Sequence, residues 1–332
     1  MAEITTDEVR GYLNKKQGQL VTLDEIRYEF QVEKGTKSFD AVRNIMWQLV
    51  GQKIVKPTKR KEYKVIRQVK PIKVFGTDRE RRPPFPLVFP KEFSTGEEML
   101  FAEYVVVREG DMILISGMSN FGKTTLCMNF CGENIDYGPV LMGNEYTTID
   151  DEPTDRFLNR LDNMDWVKWT NGDGSDKFEL LPVWDDYAEH IIKDRINIID
   201  WINLPGEYYM ISPVMEGIKR AIGKGIAIIA LQKKEGEAAG RGGSMTRDFA
   251  DCELLIDRFG KDGVLLTVGK VKEYTGPVIG RTFAYSIHKG VKIVDFHEVK
   301  GCYSCKGKGE KWEKGSGNVM CGICDGKKYI KL

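Results

Sequence analysis

The sequence predicts an α/β protein built on a doubly wound parallel sheet, with a small helical domain before it and a cysteine-rich segment after it. Three observations predict this arrangement. One apolar segment leads into a glycine-rich loop and a helix, further apolar segments end in polar side chains, and four cysteines cluster near the end of the chain. Strands that alternate with helices are typical of parallel sheets. The 332 residues, of which 41% are hydrophobic, suffice for one large domain with smaller attachments.

Charge is unevenly distributed along the chain. The formal net charge is +1, but residues 1–75 hold 16 Lys/Arg against 9 Asp/Glu, and residues 300–332 hold 8 Lys against 3 acidic residues. Basic ends indicate an anionic partner such as nucleic acid, although solvated lysines would explain either end by itself. The polar first residues, the short apolar runs and the clustered cysteines predict a cytoplasmic protein (the host cytoplasm if a phage encodes it) without a membrane partner.

Residues 1–70 combine three short helical patterns with a basic hairpin. Capping boxes begin at Thr5 and Thr22, and the stretch 53–67 holds seven basic residues and one acidic residue. This order predicts a winged helix-turn-helix, whose third helix enters a major groove of duplex DNA while the hairpin contacts phosphates. A winged helix that docks on a protein is the alternative, because the fold does not determine the partner. The residues expected at the hairpin tip are Lys59, Arg60 and Lys61.

Residues 71–95 are rich in proline and charged side chains, which is typical of an extended linker. We expect this linker to pack on a neighbouring subunit. The central domain then covers residues 96–298, and the cysteine-rich segment covers residues 299–332.

A nucleotide site is predicted where the first central strand meets its helix. The residues there read G-x-x-x-x-G-K-T, the pattern of a phosphate-binding loop. Its glycines let backbone N–H groups wrap the phosphates, Lys123 reaches the outer phosphates, and the Thr124 hydroxyl reaches Mg²⁺. The helix N-terminus also favours an anion. The predicted nucleotide-binding residues are Gly117, Met118, Ser119, Asn120, Phe121, Gly122, Lys123, Thr124 and Thr125.

Three later strands are expected to end in polar side chains. The segment "INIIDW" ends at Asp200, which suits a contact to Mg²⁺ through water; a plain strand end is the alternative. A strand through "GPVLMGNEYT" is expected to run to Glu145, whose carboxylate could position and deprotonate water. The strand "IAIIALQKK" brings Gln232 to its end, as a γ-phosphate sensor requires. The order of these elements predicts a doubly wound core.

The segment after Gln232 resembles the corresponding segment of RecA-like hexameric replicative helicases of the DnaB type. The shared landmarks are Gly243-Ser244, Ala250-Asp251, Arg258 at a strand end, and a basic strand that leads into Gly276-Pro277. The chain is also similar to a compact phage-type group of these ATPases, and the resemblance extends over residues 96–298.

This resemblance implies roles for three side chains. Glu145 takes the position of the family's catalytic glutamate, and Lys270 and Lys272 take those of two basic residues that project into the ATP of the neighbouring subunit. The helicases usually carry arginine where this chain has Lys272, and lysine lacks the planar fork of arginine. A winged helix also replaces the helical N-terminal collar of that family.

The loop that follows Gln232 combines glycines with basic side chains. In RecA-like rings a loop in this position faces the central channel, so the resemblance implies a contact to single-stranded DNA. Glycine allows close approach to a backbone, and basic side chains contact phosphates without reading sequence. A flexible surface loop is the alternative. The basic residues are Lys233, Lys234 and Arg241.

Four cysteines near the end of the chain have the spacing of a metal site. Cys302 and Cys305 form one C-x-x-C pair, and after fifteen residues Cys321 and Cys324 form another. The spacing predicts a structural Zn²⁺ site in a zinc ribbon, with some likeness to the C-x-x-C-x-G-x-G units of DnaJ proteins. Two disulfides or a redox-active pair are the alternatives.

Together the motifs predict a DNA-dependent ATPase with ATP, Mg²⁺ and Zn²⁺ as cofactors. We expect an oligomeric ring, specifically a hexamer, that acts as a replicative DNA helicase of a phage or mobile element. Its expected protein partners are replication proteins. The alternative is an ATP-gated DNA-binding adaptor, a helicase loader or a recombination regulator without unwinding activity.

Overall fold

The computed structural model describes residues 4–75, 82–202, 211–234, 237, 239–240, 242–314 and 316–332. The chain divides into two compact units, Met1–Arg81 and Arg82–Leu332. Among the described helices, none has the length and apolar character needed to cross a membrane.

The first unit has the three helices and the hairpin that the sequence predicts. Both predicted capping boxes are present: the Thr5 side chain accepts from the Glu8 N–H while the Glu8 carboxylate accepts from the Thr5 N–H, and Thr22 and Glu25 do the same. The helices pack on a three-stranded antiparallel sheet of order β1-β3-β2. Its elements are α1 (Thr6–Asn14), β1 (Leu20–Thr22), α2 (Leu23–Glu29), α3 (Lys37–Gly51), β2 (Val55–Lys59) and β3 (Glu62–Val65).

The second unit contains the remaining regular elements, together with three short 3₁₀ turns at Ala102–Tyr104, Ile135–Tyr137 and Tyr187–Glu189. Its helices are α4 (Lys123–Glu133), α5 (Asp155–Asn163), α6 (Ile211–Ala221) and α7 (Ser244–Phe249). Its strands are β4 (Met112–Gly117), β5 (Val140–Met142), β6 (Glu179–Leu181), β7 (Ile196–Ile199), β8 (Ile226–Gln232), β9 (Cys252–Phe259), β10 (Gly263–Val271), β11 (Thr282–His288), β12 (Lys292–Gly301), β13 (Glu310–Glu313), β14 (Gly317–Met320) and β15 (Tyr329–Lys331).

A ten-stranded sheet organises the second unit, in the order β15-β12-β11-β10-β9-β4-β8-β7-β5-β6. The six strands from β9 to β6 run parallel, and the other four extend the sheet in antiparallel fashion. Every residue of β4 and β7 is buried, as expected for parallel strands that are covered on both faces. The α/β class and the parallel sheet predicted from the sequence are confirmed.

The parallel strands divide their side chains between two cores. Ile113 and Ile115 of β4 pack in the core that contains α4, whereas Met112 and Leu114 pack with Met215 of α6 on the opposite face. This alternation follows from the two-residue period of a strand. Helices therefore cover both faces of the sheet, which is the doubly wound arrangement.

Residues 82–95 differ from the predicted linker, because they belong to the second unit. Phe89 is buried and packs edge-to-face on Phe101 and Phe130, with ring centroids 5.6 and 5.5 Å away. The backbone of Val88 exchanges two hydrogen bonds with the Asn134 side chain, at 2.9 and 2.7 Å. Apolar side chains between the prolines thus anchor this segment to its own domain.

Candidate nucleotide and metal sites

The end of β4 and the loop that follows it require glycine at two points, at Gly122 for its backbone conformation and at Gly117 for lack of space. Gly122, the N-cap of α4, has φ of +87°, and a Cβ atom there would collide with Cδ1 of Ile287. At Gly117 a Cβ atom would lie 2.9 Å from Cβ of Ile256. Both fixed glycines of the motif are therefore required by the packing of the loop.

A cavity of about 520 Å³ opens beside this loop at the carboxyl ends of the parallel strands. It unites residues that are far apart in the sequence, as expected for a ligand site in an open α/β sheet. Gly117 and Met118 belong to the same loop without lining the cavity. The predicted residues that do line it are Ser119, Asn120, Phe121, Gly122, Lys123, Thr124, Thr125, Glu145, Asp200 and Gln232.

Asp200 directly follows β7 and is almost completely buried. Burial raises the pKa of Asp200, while hydrogen bonds from Tyr146 and Thr124 oppose the rise. The Tyr146 hydroxyl donates to Oδ2 at 2.6 Å. The other oxygen, Oδ1, is buried without a partner that meets hydrogen-bond geometry among the described residues. A buried carboxylate oxygen beside a threonine hydroxyl fits the oxygen ligands that Mg²⁺ prefers.

Lys123 and Gln232 each contact a residue of the phosphate loop. The Lys123 side chain is largely buried, and its ammonium donates to the Met118 carbonyl at 2.7 Å. Gln232 ends β8, and its Nε2 donates to the Ser119 hydroxyl at 3.3 Å. A contact from the end of β8 to the loop is therefore built into the fold.

Glu145 lies in a turn, three residues after β5 ends, and not on the strand as the sequence predicted. The strand ends at Met142, and Gly143 then packs against the Asp200 carbonyl, where no side chain would fit. The Glu145 carboxylate is exposed, and its Oε1 lies 3.5 Å from Nε1 of Trp201. It is thus free to meet a water molecule in the cavity.

Sequence reasoning missed two arginines that line the cavity. Arg156 and Arg160 lie one turn apart on α5, so they share one helix face. They place positive charge from the same chain near the cavity, whereas the sequence predicts such charge only from Lys270 and Lys272 of a neighbouring subunit. Their i, i+4 spacing on a helix that follows Glu145 was the available signal.

Lys270 and Lys272 are not part of this cavity. Lys272 Nζ lies 2.6 Å from Oδ1 of Asp251, and Lys219 Nζ lies 2.5 Å from Oδ2. Burial opposes ionisation of Asp251, but these two hydrogen bonds outweigh it and lower its pKa. Val271 pairs with Cys252, which pairs with Ile113 at the start of β4. The two lysines are therefore roughly 15 Å along the sheet from their own phosphate loop.

Lys233 does not have the exposure that the predicted DNA contact requires. Its side chain is fully buried, and Nζ contacts Oδ1 of Asp257 at 2.6 Å and the Glu237 carbonyl at 2.9 Å. A buried ammonium needs such partners, so Lys233 serves the packing of the loop base. Lys234 is exposed, and Arg241 lies outside the described residues.

The predicted basic tip of the hairpin in the first unit is open to solvent. Lys59 ends β2, Arg60 and Lys61 form the turn, and all three side chains are exposed. Contact of this tip with DNA phosphates stays a prediction.

The four predicted cysteine ligands converge on one point. All four Sγ atoms lie within 4.8 Å of one another, with 3.9 Å between Cys302 and Cys321 and 3.6 Å between Cys305 and Cys324. Tetrahedral zinc with Zn–S bonds of about 2.3 Å requires sulfur separations of about 3.8 Å. These separations are too long for disulfide bonds. The cluster is compatible with Zn²⁺.

Backbone N–H groups support ionised thiols in this cluster. The Gly309 N–H donates to Sγ of Cys305 at 3.2 Å. Burial opposes ionisation of Cys321, but N–H groups of Ile323 and Cys324 together with the neighbouring thiols lower the pKa of that thiol to about 6. Burial and the neighbouring Cys305 thiol raise the pKa of Cys324 to about 12, so without metal the proton of the cluster resides on Cys324. Thiolates are the form that binds zinc.

Comparison with known proteins identifies no family for the chain. No protein-family profile matches it. No curated protein matches it either. Among solved structures, a KaiC-like protein from the hyperthermophilic archaeon Pyrococcus horikoshii OT3 is similar, with 16% identity and a TM-score of 0.44, over 62% of this chain and 98% of that one. Function is therefore inferred from the residues of the site.

Gly122→Ala tests the phosphate loop. We expect nucleotide affinity to fall roughly tenfold or more, because a left-handed conformation costs a residue with a Cβ atom about 1–2 kcal/mol and the added methyl group meets Ile287. Titration with a fluorescent ATP analogue measures the loss. Gly172→Ala is the control, since Gly172 has open space around it. Equal affinity in the two variants would show that the loop does not hold the phosphates.

The cysteine cluster should hold one zinc ion per chain. Elemental analysis of protein purified in reducing buffer measures it, and Cys305→Ser should lose most of the metal because one thiolate ligand is gone. Cys252→Ala, which removes a buried thiol outside the cluster, should keep it. Metal-free wild-type protein with an intact fold would contradict the assignment.

Proposed function

We propose that this chain is a magnesium-dependent ATPase that works on DNA as an oligomeric ring. The observation that carries the proposal is the cavity that unites Lys123, Thr124, Glu145, Asp200 and Gln232. A lysine and a threonine on a phosphate loop, two carboxylates and an amide are the groups that ATP hydrolysis requires in P-loop enzymes.

Each of these side chains has a separate role in ATP hydrolysis. Lys123 exchanges the Met118 carbonyl for the outer phosphates, which keeps its ammonium compensated. Thr124 and Asp200 hold Mg²⁺, and the ion supplies charge neutralisation at the phosphates when bound. Glu145 accepts a proton from the attacking water, for which its exposed carboxylate is suited.

Gln232 couples the site to the rest of the chain. Its amide contacts the phosphate loop through Ser119, and the next residue, Lys233, is fixed to Asp257 at the base of the loop that leads to α7. A change in the contacts of Gln232 on hydrolysis therefore reaches a segment with the exposed Lys234. This arrangement supports a DNA contact that responds to the state of the nucleotide.

DNA is the proposed partner because basic residues are exposed outside the cavity. The hairpin tip at 59–61 suits phosphates of a duplex, and the loop at Lys234 suits single-stranded DNA in a channel. A replicative helicase of the phage type, with replication proteins as partners, combines these properties. A strand-displacement assay on forked DNA tests it; ATP turnover without displacement would favour an ATP-gated adaptor, helicase loader or recombination regulator.

Assembly is proposed because Lys270 and Lys272 are remote from their own phosphate loop. In the ring, which we propose to be a hexamer, each subunit would bring its Lys270 and Lys272 to the ATP of the neighbouring subunit. Arg156 and Arg160 supply charge within one chain, so the contribution from the neighbour is expected to be smaller than the roughly 10³ to 10⁵ in rate known for arginine in trans.

Single-stranded DNA should stimulate ATP turnover. The physical reason is the direct continuity of Gln232 with the loop that contains Lys234. Steady-state turnover with and without an oligonucleotide measures the effect, and Lys123→Ala serves as the inactive control. If no form of DNA changes the turnover, the proposed DNA motor is contradicted and the ATP-gated adaptor is favoured.

Lys272→Ala should lower kcat and leave nucleotide affinity nearly unchanged, because the loss falls on the transition state. Lys219 still neutralises Asp251 in this variant, so the fold should persist. Lys219→Ala is the matched control, since it removes the other partner of Asp251. Arg160→Ala shows how much charge the same chain supplies.

Mixing Lys272→Ala with Lys123→Ala subunits should restore part of the activity, since an intact loop then faces an intact lysine at some interfaces. Normal turnover by Lys272→Ala, or full activity at concentrations where only monomers exist, would disprove the contribution in trans.

A further inference from the structure

The C-terminal module, residues 302–332, exposes aromatic rings to solvent. Tyr303 and Trp312 are each 71% exposed, and Met320 and Ile323 are exposed as well. The fully buried residues in the module's core cluster are its four cysteines. Tryptophan is usually well buried in folded proteins, so a tryptophan held this far into solvent indicates a contact surface.

The exposed side chains are fixed on rigid parts of the module. Tyr303 lies between the first two cysteines, and Ile323 lies between the last two. Trp312 belongs to β13, where Glu310 pairs with Met320 of β14. Since side chains alternate along a strand, Trp312 and Met320 lie on the same face of this hairpin.

Exposed lysines occur on the same segments of the module as these rings. Lys306 and Lys308 directly follow the first cysteine pair, Lys314 follows β13, and Lys328 follows the second pair. None of the four forms an ion pair within the part of the chain that the structure describes. The module therefore combines exposed aromatic rings with an excess of positive charge, since its 8 Lys outnumber 3 acidic residues over 300–332.

We infer that the module is a binding surface for single-stranded nucleic acid. Bases stack on Trp312 and Tyr303, and the exposed lysines contact the phosphates. Stacking platforms beside basic side chains are how proteins hold a single strand without sequence preference. Bases in a duplex are already stacked on one another, so the rings favour a single strand.

This site goes beyond the proposed function, which assigns DNA to the hairpin of the first unit and to the loop after Gln232. It also assigns a structural role to the zinc ion. An ion bound by the four thiolates would hold together the segments that carry Tyr303, Trp312 and the lysines. The site makes no use of ATP, so it can be tested without hydrolysis.

Photo-crosslinking on the full-length, zinc-loaded protein tests the inference. A single-stranded oligonucleotide that contains 5-iodo-deoxyuridine is irradiated with the protein in the absence of nucleotide, and the adducts are mapped by mass spectrometry. We expect adducts on Trp312 or Tyr303. Adducts confined to residues outside 302–332 overturn the proposal.

Affinity measurements supply the second arm. By fluorescence anisotropy with oligo-dT, Trp312→Ala should bind roughly fivefold or more weakly, the size expected from loss of one stacked base. Trp312→Phe should retain most of the affinity. Trp184→Ala, which removes another exposed tryptophan of the same unit, should bind like the wild type. Unchanged affinity of Trp312→Ala and Tyr303→Ala overturns the proposal.

Two readouts separate this surface from the proposed function. Trp312→Ala should keep its zinc and its ATP turnover without DNA, which shows that the fold and the nucleotide site are intact. If DNA fails to stimulate the wild-type ATPase but still forms adducts at Trp312, the proposed motor fails and the surface stands. If blunt duplex suppresses the adducts at Trp312 and Tyr303 as well as oligo-dT does, phosphate contact alone explains binding at the module and stacking is disproved.

Discussion

Parallel pairing of the central strands is the constraint on which the nucleotide site depends. Gly117 pairs with Gln232, and Met142 pairs with Ile199, so four strands end at one edge of the sheet. The phosphate loop, the turn with Glu145, and Asp200 all follow from those ends. None of these residues could reach the others through local structure. Hydrogen bonding between strands brings them together, and packing on both faces keeps them there.

Buried charge in this domain is compensated in ways that relate to its proposed activity. Asp251 pairs with Lys219 and Lys272 at the end of the parallel strands opposite the cavity. Lys233, which directly follows β8, pairs with Asp257. Asp200 has only partial compensation, from hydrogen bonds of Tyr146 and Thr124 and from the charge of Lys123, since burial still raises its pKa. Because an unpaired buried carboxylate is costly, the incomplete environment of Asp200 favours a bound cation. The other pairs complete the fold without one.

The C-terminal module lies beside the turn between β9 and β10, and this turn lines the candidate nucleotide cavity. Lys327 packs over Gly260 and approaches the ring of Phe259 to 6.0 Å. Lys261 and Asp262, in the same turn between β9 and β10, line the cavity. One short turn therefore contacts the module on the Phe259–Gly260 side and lines the cavity through Lys261 and Asp262.

The features of this protein that depend on short spacings can be predicted from the amino-acid sequence. Capping boxes at Thr5 and Thr22, the glycine-rich loop and the C-x-x-C pairs are local patterns whose geometry needs few other residues. Alternating strands and helices predict the α/β class for the same reason.

Which charges are exposed depends instead on tertiary contacts. Lys233 reads as a loop lysine in the sequence, yet it is buried against Asp257, which is distant in the chain. Arg156 and Arg160 enter the cavity because α5 packs beside it, and residues 82–95 join the core because Phe89 meets Phe101 and Phe130. Such contacts depend on the folded positions of distant segments; the i, i+4 spacing of Arg156 and Arg160 indicates a shared helix face but not what that face meets.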